Sequence, residues 1–193
     1  MNNVKKFCLP NKLLTIIIML IVFIILYATI LISLLAESDI DEISKNLPMY
    51  AIITFVIMLI LFGAFYYEVI VKPNKRFKKR LKYFKANNME NYIISDFNRG
   101  VKMFNNNVIV GEYCLIGKGE GLIVFYNEIE KFSCFFKTSA DEDGNTRVSK
   151  ELRIVGGGIK YRLCSVDDWS VYEPDYIQLC TFLKLKNPNI IIE

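Results

Sequence analysis

Two long stretches of this chain lack polar relief, and the rest alternates polar with apolar positions. Leu13–Ala36 is a run of 24 residues without a charged side chain, and Met49–Tyr67 is a second of 19. A helix over the first would be about 36 Å long, enough to cross a hydrocarbon core of about 30 Å with some tilt. A soluble helix needs a polar face, so unbroken apolar runs of this length predict two membrane-spanning helices, over 13–36 and 48–71. Pro48 stands at the start of the second, where a missing N–H costs least. The first run is too long for the apolar part of a secretory signal, and Leu34–Leu35–Ala36 is a poor cleavage site, so an uncleaved anchor is expected.

Beyond the second run the period changes. Ile93, Ile94, Phe97, Val101 and Phe104 recur at spacings of three and four, predicting a helix over 88–104 that Asn105–Asn106–Asn107 ends. Strand patterns follow. Val108–Ile116 and Leu122–Tyr126 flank the turn Gly117–Lys118–Gly119–Glu120–Gly121, which predicts a hairpin. Glu130–Lys137, Val148–Val155 and Ile159–Val166 continue the alternation. Their turns are the polar stretch Ser139–Arg147, around Asp143–Gly144–Asn145, and Gly156–Gly157–Gly158. The chain closes with an amphipathic helix over 174–186, stopped by Pro188. The expected fold is α+β: two transmembrane helices, then one small antiparallel sheet or part-barrel over 108–166, closed by the C-terminal helix. Leu152, Ile154, Tyr161, Leu163, Leu179 and Leu183 are its expected core.

Charge orients this arrangement. Lys5, Lys6 and Lys12 precede the first span; Glu37, Asp39, Asp41 and Glu42 outweigh Lys45 between the spans; eight bases and no acid occupy residues 72–85. Lys and Arg remain on the cytoplasmic side, so both termini are expected in the cytoplasm of a cell-membrane protein. The layout is a cytoplasmic flank at 1–12, spans at 13–36 and 48–71, a short outer loop at 37–47, a basic juxtamembrane segment at 72–88 and a cytoplasmic domain at 89–193. Lys75, Arg76, Lys78, Lys79, Arg80, Lys82 and Lys85 are candidate contacts to anionic lipid headgroups, with Phe77, Tyr83 and Phe84 at headgroup level. Glu68 and Lys72 are spaced for a helical ion pair.

Residues 1–85 carry 12 bases and 5 acids, net +7, whereas residues 86–193 carry 12 bases and 15 acids, net −3. The positive charge belongs to the membrane boundary and not to the domain, which disfavours nucleic acid as a partner. The chain has no histidine, and its five cysteines show no C-x-x-C spacing, so neither a zinc site nor any cofactor is expected. Cys114, Cys134, Cys164 and Cys180 read as buried thiols; Cys8, beside a span, is where lipidation could occur. The glycines at 117–121 precede a strand and not a helix, so they form a turn, not a phosphate loop. Asp141, Glu142 and Asp143 lack an EF-hand pattern, and Asp167–Asp168–Trp169 reads as entry to the last helix. Without a histidine base, a G-x-S-x-G elbow or paired intramembrane acids, no enzyme is expected.

The run VIVGEYCLIGKGEGLIVFYNEIEKFSCFF, with strands around a Gly-rich turn and then Asn127–Glu128–Ile129, resembles the opening of bacterial pleckstrin-homology-like domains. YIISDFNRGVKMFNNN and the preceding spans are similar to bacterial two-span membrane proteins carrying such a domain. The resemblance implies a domain that holds a protein or lipid partner near the bilayer, and it implies no catalytic residues. The alternative expectation is a small membrane subunit acting through its helices in an oligomer or transport complex.

Overall fold

The computed structural model describes residues 1–36, 40–140, 146–166 and 169–193. It divides into two units: Asn11–Lys72, and Met1–Pro10 together with Pro73–Glu193.

The first unit holds α2 (Lys12–Ala36) and α3 (Ile40–Tyr66), which runs on through a π-helical turn at Tyr67–Val71. Both helices are long and apolar enough to cross a membrane, and only 6% of the most apolar window of each is buried. A core helix of a soluble protein would be covered along such a window, whereas these expose Ile and Leu around their circumference. Phe23 stacks on Tyr27 within α2 and meets Phe55 and Phe62 of α3 edge-on. Glu68 and Lys72 form the expected ion pair. The segment expected as a short outer loop, 37–47, is helical where it is described. Residues 37–39 lie outside the described set, but Ile40–Leu47 is already helical and Pro48 falls inside α3. Acidic residues mark where an apolar run ends; they do not stop a helix, and Glu and Lys are good helix formers.

The second unit opens with α1 (Asn2–Cys8) and resumes with α4 (Lys72–Ala86), whose first residue belongs to the other unit, and α5 (Glu90–Arg99). Two four-stranded sheets follow. The first, in order β1-β2-β3-β4, is antiparallel: β1 (Val101–Met103), β2 (Val108–Val110), β3 (Cys114–Gly117) and β4 (Leu122–Phe125). The second has the order β7-β6-β5-β8, with β5 (Ile129–Ala140), β6 (Thr146–Gly156), β7 (Ile159–Val166) and β8 (Ile191–Ile192). β8 lies parallel to β5; the other pairs are antiparallel. A 3-10 turn, Tyr126–Glu128, joins the sheets, and α6 (Trp169–Lys186) follows β7.

The single sheet expected over 108–166 is therefore two sheets, and the single strand Val108–Ile116 is two strands reversed at Gly111–Tyr113. The missed turn sits in a run that stays apolar on both sides of it, because the first sheet is covered on both faces. Val108, Val110, Leu115, Leu122 and Val124 enter one core. Ile109, Cys114, Ile116, Ile123 and Phe125 enter another. All six expected core residues lie in the first of these, each at most 2% exposed. The second core is filled from α1, α4 and α5 by Val4, Cys8, Phe77, Phe84 and Ile93.

The helix expected over 88–104 stops at Arg99. Gly100 ends it, Val101 pairs with Val110, and Phe104 sits in the β1–β2 turn. Phe104, Asn105 and Asn106 all take positive φ, which Asn tolerates and Phe resists. The Phe104 ring is buried, and its N–H donates to Asp175 Oδ2 at 2.6 Å, which holds that conformation. α6 starts five residues before Pro174, so that proline lies within the helix and not in its first turn.

Candidate functional site

Residues 72–86 form one helix whose two faces carry different bases. Pro73, Phe77, Arg80 and Phe84 are buried and Arg76 is half-buried, whereas Lys75, Lys78, Lys79, Lys82 and Lys85 are exposed. At about 3.6 residues per turn the five lysines share one side and the two arginines the other. The arginine side docks on the domain. Arg80 Nε donates to the Ile123 carbonyl at 3.1 Å, Nη1 to Glu128 Oε1 at 3.1 Å, and Nη2 to Glu128 Oε2. Its guanidinium also lies over the Phe84 ring, 4.6 Å from the centroid. Glu128 Oε2 in turn accepts the Phe125 N–H at 3.1 Å. A planar fork suits this bidentate, stacked position; a lysine could not reproduce it. Arg76 pairs with Glu120 at 3.5 Å, and Glu120 also takes Arg162 at 3.3 Å.

The glycine turn anticipated as a hairpin does more than reverse the chain. Gly119 N–H donates to the Phe7 carbonyl at 3.2 Å and Gly121 N–H to the Cys8 carbonyl at 2.7 Å, so the end of α1 is tied to it. Gly121 has φ +68, and a Cβ there would meet the Pro73 carbonyl oxygen at 2.4 Å. Gly157, at φ +56, leaves no room for a Cβ beside Arg80 Nη1, at 2.9 Å. Both glycines are needed for conformation and for the close approach of α4.

Of the seven bases assigned to lipid, then, Arg80 is inside and Arg76 faces Glu120, leaving the five lysines outside. Lys85 lies 3.8 Å from Glu90. Lys78, Lys79 and Lys82 have no ion-pair partner among the described residues. Of the three aromatics, Phe77 and Phe84 are core residues and Tyr83 alone is exposed. Cys8 is fully buried, its Sγ 3.7 Å from the Leu122 carbonyl, and burial pushes its thiol well above the ordinary range. Acylation of Cys8 is incompatible with this fold. Cys114 is raised for the same reason, with the Asp96 charge adding to it.

Asp96 is a structural feature of the fold that the sequence did not announce. Its carboxylate, 3% exposed, accepts N–H bonds from Glu112 at 3.0 Å, Tyr113 at 2.8 Å and Cys114 at 2.8 Å. It thereby shapes the turn that splits β2 from β3, and the only sequence hint was Gly111, where a Cβ would clash with Asp96. Beside it lies a cleft of about 420 Å³ between α5 and α6, lined by Ser95, Arg99, Glu112, Gln178, Phe182 and Lys186 among others. Its two bases are offset by Asp96 and Glu112, so it has no marked preference for one sign of ligand.

Among the described residues no group of three Cys, Asp or Glu is placed to hold a metal ion. The acidic stretch Asp141–Asp143, the turn around Gly144–Asn145 and the pair Asp167–Asp168 lie outside the described residues. Compared with protein-family models, curated proteins and solved structures, the chain finds no match.

Proposed function

We propose that this protein is a membrane-anchored binding or regulatory module of the cell membrane. Its two apolar helices hold the α+β domain at the cytoplasmic face, where the domain engages a protein partner and anionic headgroups. The observation that carries this reading is the division of α4. A helix that follows the second apolar run directs Arg76 and Arg80 into the domain and Lys75, Lys78, Lys79, Lys82 and Lys85 outward. Lysines on one exposed side, next to an apolar helix, suit an anionic leaflet, each contributing on the order of 1 kcal/mol near the surface. The domain itself carries net negative charge, so the lysine side is where it would approach the bilayer.

Both termini are read as cytoplasmic. Besides the flanking charges, the docking of α1 into the same unit as the domain supports this: two crossings return the chain to the side it left. The pleckstrin-homology-like reading of the domain is supported by the β3–β4 hairpin around the glycine turn, the Asn127–Glu128–Ile129 step and a helix after the last long strand.

Photo-crosslinkers placed one at a time in intact membranes test the module reading. Domain positions such as Tyr92 and Lys160 should capture a partner chain, and Ile24 and Ile57 in the apolar helices should capture lipid. Partner capture confined to the helix positions would overturn it in favour of a subunit working through its spans. Labelling of residue 193 from outside intact cells would overturn the orientation.

A further inference from the structure

α6 is apolar on both sides. Leu179 and Leu183 are buried in the first core, and Tyr172, Tyr176, Cys180 and Phe182 pack against it. The opposite side exposes Val171 at 63%, Ile177 at 57% and Leu185 at 77%, with Pro174, Gln178 and Thr181 between them. Thr181 donates its hydroxyl to the Ile177 carbonyl at 2.9 Å, which satisfies that hydroxyl within the helix. Three large apolar side chains exposed along one side of a helix mark a surface suited to a partner.

The charges beside this stripe indicate what covers it. Glu173 and Lys184 lie on the same flank of the stripe, at opposite ends. Glu173 has no ion-pair partner among the described residues, and Lys184 donates to the Ile190 carbonyl at 2.6 Å while remaining exposed. When two copies of one helix pack antiparallel across a two-fold axis, each flank meets the same flank of its copy in reverse order. With the axis at Gln178, Val171 stands against Leu185 of the other copy, because the two are equally far from Gln178. The same register sets Glu173 within one residue of Lys184 of the other copy, and it does so twice by symmetry. The apolar match and the charge match thus require one register.

We propose that α6 is a homodimer contact in which two copies of this chain pack antiparallel about Gln178. The stripe is small beside the roughly 20–30 residues a side of a standard interface. Association therefore rests on the anchoring proposed above, since two copies held in one membrane meet at high effective concentration.

The test uses the full-length chain in its native membrane. Gln178→Cys should form a disulfide-linked dimer with itself on mild oxidation. Val171→Cys alone should not, since its copies stand about 21 Å apart along the helix axis, but Val171→Cys co-expressed with Leu185→Cys should. Glu173→Lys and Lys184→Glu, each added to the Gln178→Cys chain, should lower the dimer about tenfold, as two attractive flank contacts become repulsive. Co-expressing those two charge variants should restore it, because every flank contact is then attractive again. Fluorescence of Trp169, the sole tryptophan, confirms that each variant keeps α6 docked. Two outcomes overturn the proposal: crosslinking at Gln178→Cys no greater than at a control Lys118→Cys, or no recovery on co-expression. Maleimide protection of Leu185→Cys without crosslinking to co-expressed Val171→Cys would also overturn it, by showing a different chain on the stripe. Carbonate extraction of the unmodified chain tests anchoring separately, so a failure of either idea is distinguishable.

Discussion

Arg80 and Glu128, 48 positions apart, meet as a two-pronged ion pair with Arg80 buried under the β4 backbone at Ile123. This pair fixes the helix that follows the second apolar run to the turn that joins the two sheets. Taking such charges from water is costly, and removing one partner strands the other. Arg80→Met should therefore destabilise the second unit by about 3–5 kcal/mol. Arg80→Met with Glu128→Leu should recover much of that loss. Urea titration of the full chain in detergent, followed by Trp169 fluorescence, reads both; an additive double variant would contradict the pairing.

Leu179, fully buried with Leu152, Ile154 and Leu163, tests the attachment of α6. Leu179→Ala should lower stability by about 2–5 kcal/mol in the same titration. Leu185→Ala, on the exposed side, should change it by less than about 0.5 kcal/mol.

Cys8 should resist maleimide in the native protein and react once the chain is unfolded in SDS. Its pH dependence has a definite sign. Burial raises the Cys8 and Cys114 thiols above their ordinary value of 9.0, so the protonated form is the one the fold accepts. The associated stability is complete below that ordinary value and is lost as pH climbs above it, by about 1.4 kcal/mol per pH unit per thiol. Urea midpoints that fell steadily between pH 9 and 10.5 in the wild type and less in Cys8→Ala would show this; equal slopes would not.

The five outward lysines predict salt-sensitive attraction to anionic bilayers. A peptide covering residues 72–88 should bind vesicles containing phosphatidylserine, bind neutral vesicles weakly, and release as salt rises past the point where the Debye length falls below about 8 Å. Replacing Lys78, Lys79 and Lys82 with Gln should remove most of that binding, whereas replacing Arg76 and Arg80 in the full chain should alter stability more than lipid attraction. Equal binding to both vesicle types would remove the electrostatic account and leave the aromatic rings of the peptide, Phe77, Tyr83 and Phe84, as its membrane contact.

Asp96 predicts a local effect. Asp96→Asn keeps the shape of the side chain but withdraws the charge that three N–H groups share, and each such charged bond is worth roughly 1.5–3 kcal/mol. Hydrogen exchange at Glu112, Tyr113 and Cys114 should accelerate well before exchange in β6, where the ladder is independent of this turn.

Local pattern alone determined a good part of this protein. Uninterrupted apolar runs specify helices that need no polar face, so α2 and α3 were legible at once. β7 was read with its full bounds, because its period of two is intact, and so was the partition of α6 that buries Leu179 and Leu183. The i,i+4 pair Glu68–Lys72 was legible because both residues belong to one helix turn. Only the tertiary structure decided what depends on partners distant in sequence. Seven bases in one stretch look equivalent in a linear chain; Glu120 and Glu128, brought in by a sheet, separate two arginines from five lysines. Cys8 looked like a membrane-side thiol until the β3–β4 turn received the carbonyls at its end. The two sheets looked like one because a sheet buried on both faces loses the alternation by which a strand's end is recognised, and the turn at Gly111 is formed by a carboxylate from another helix.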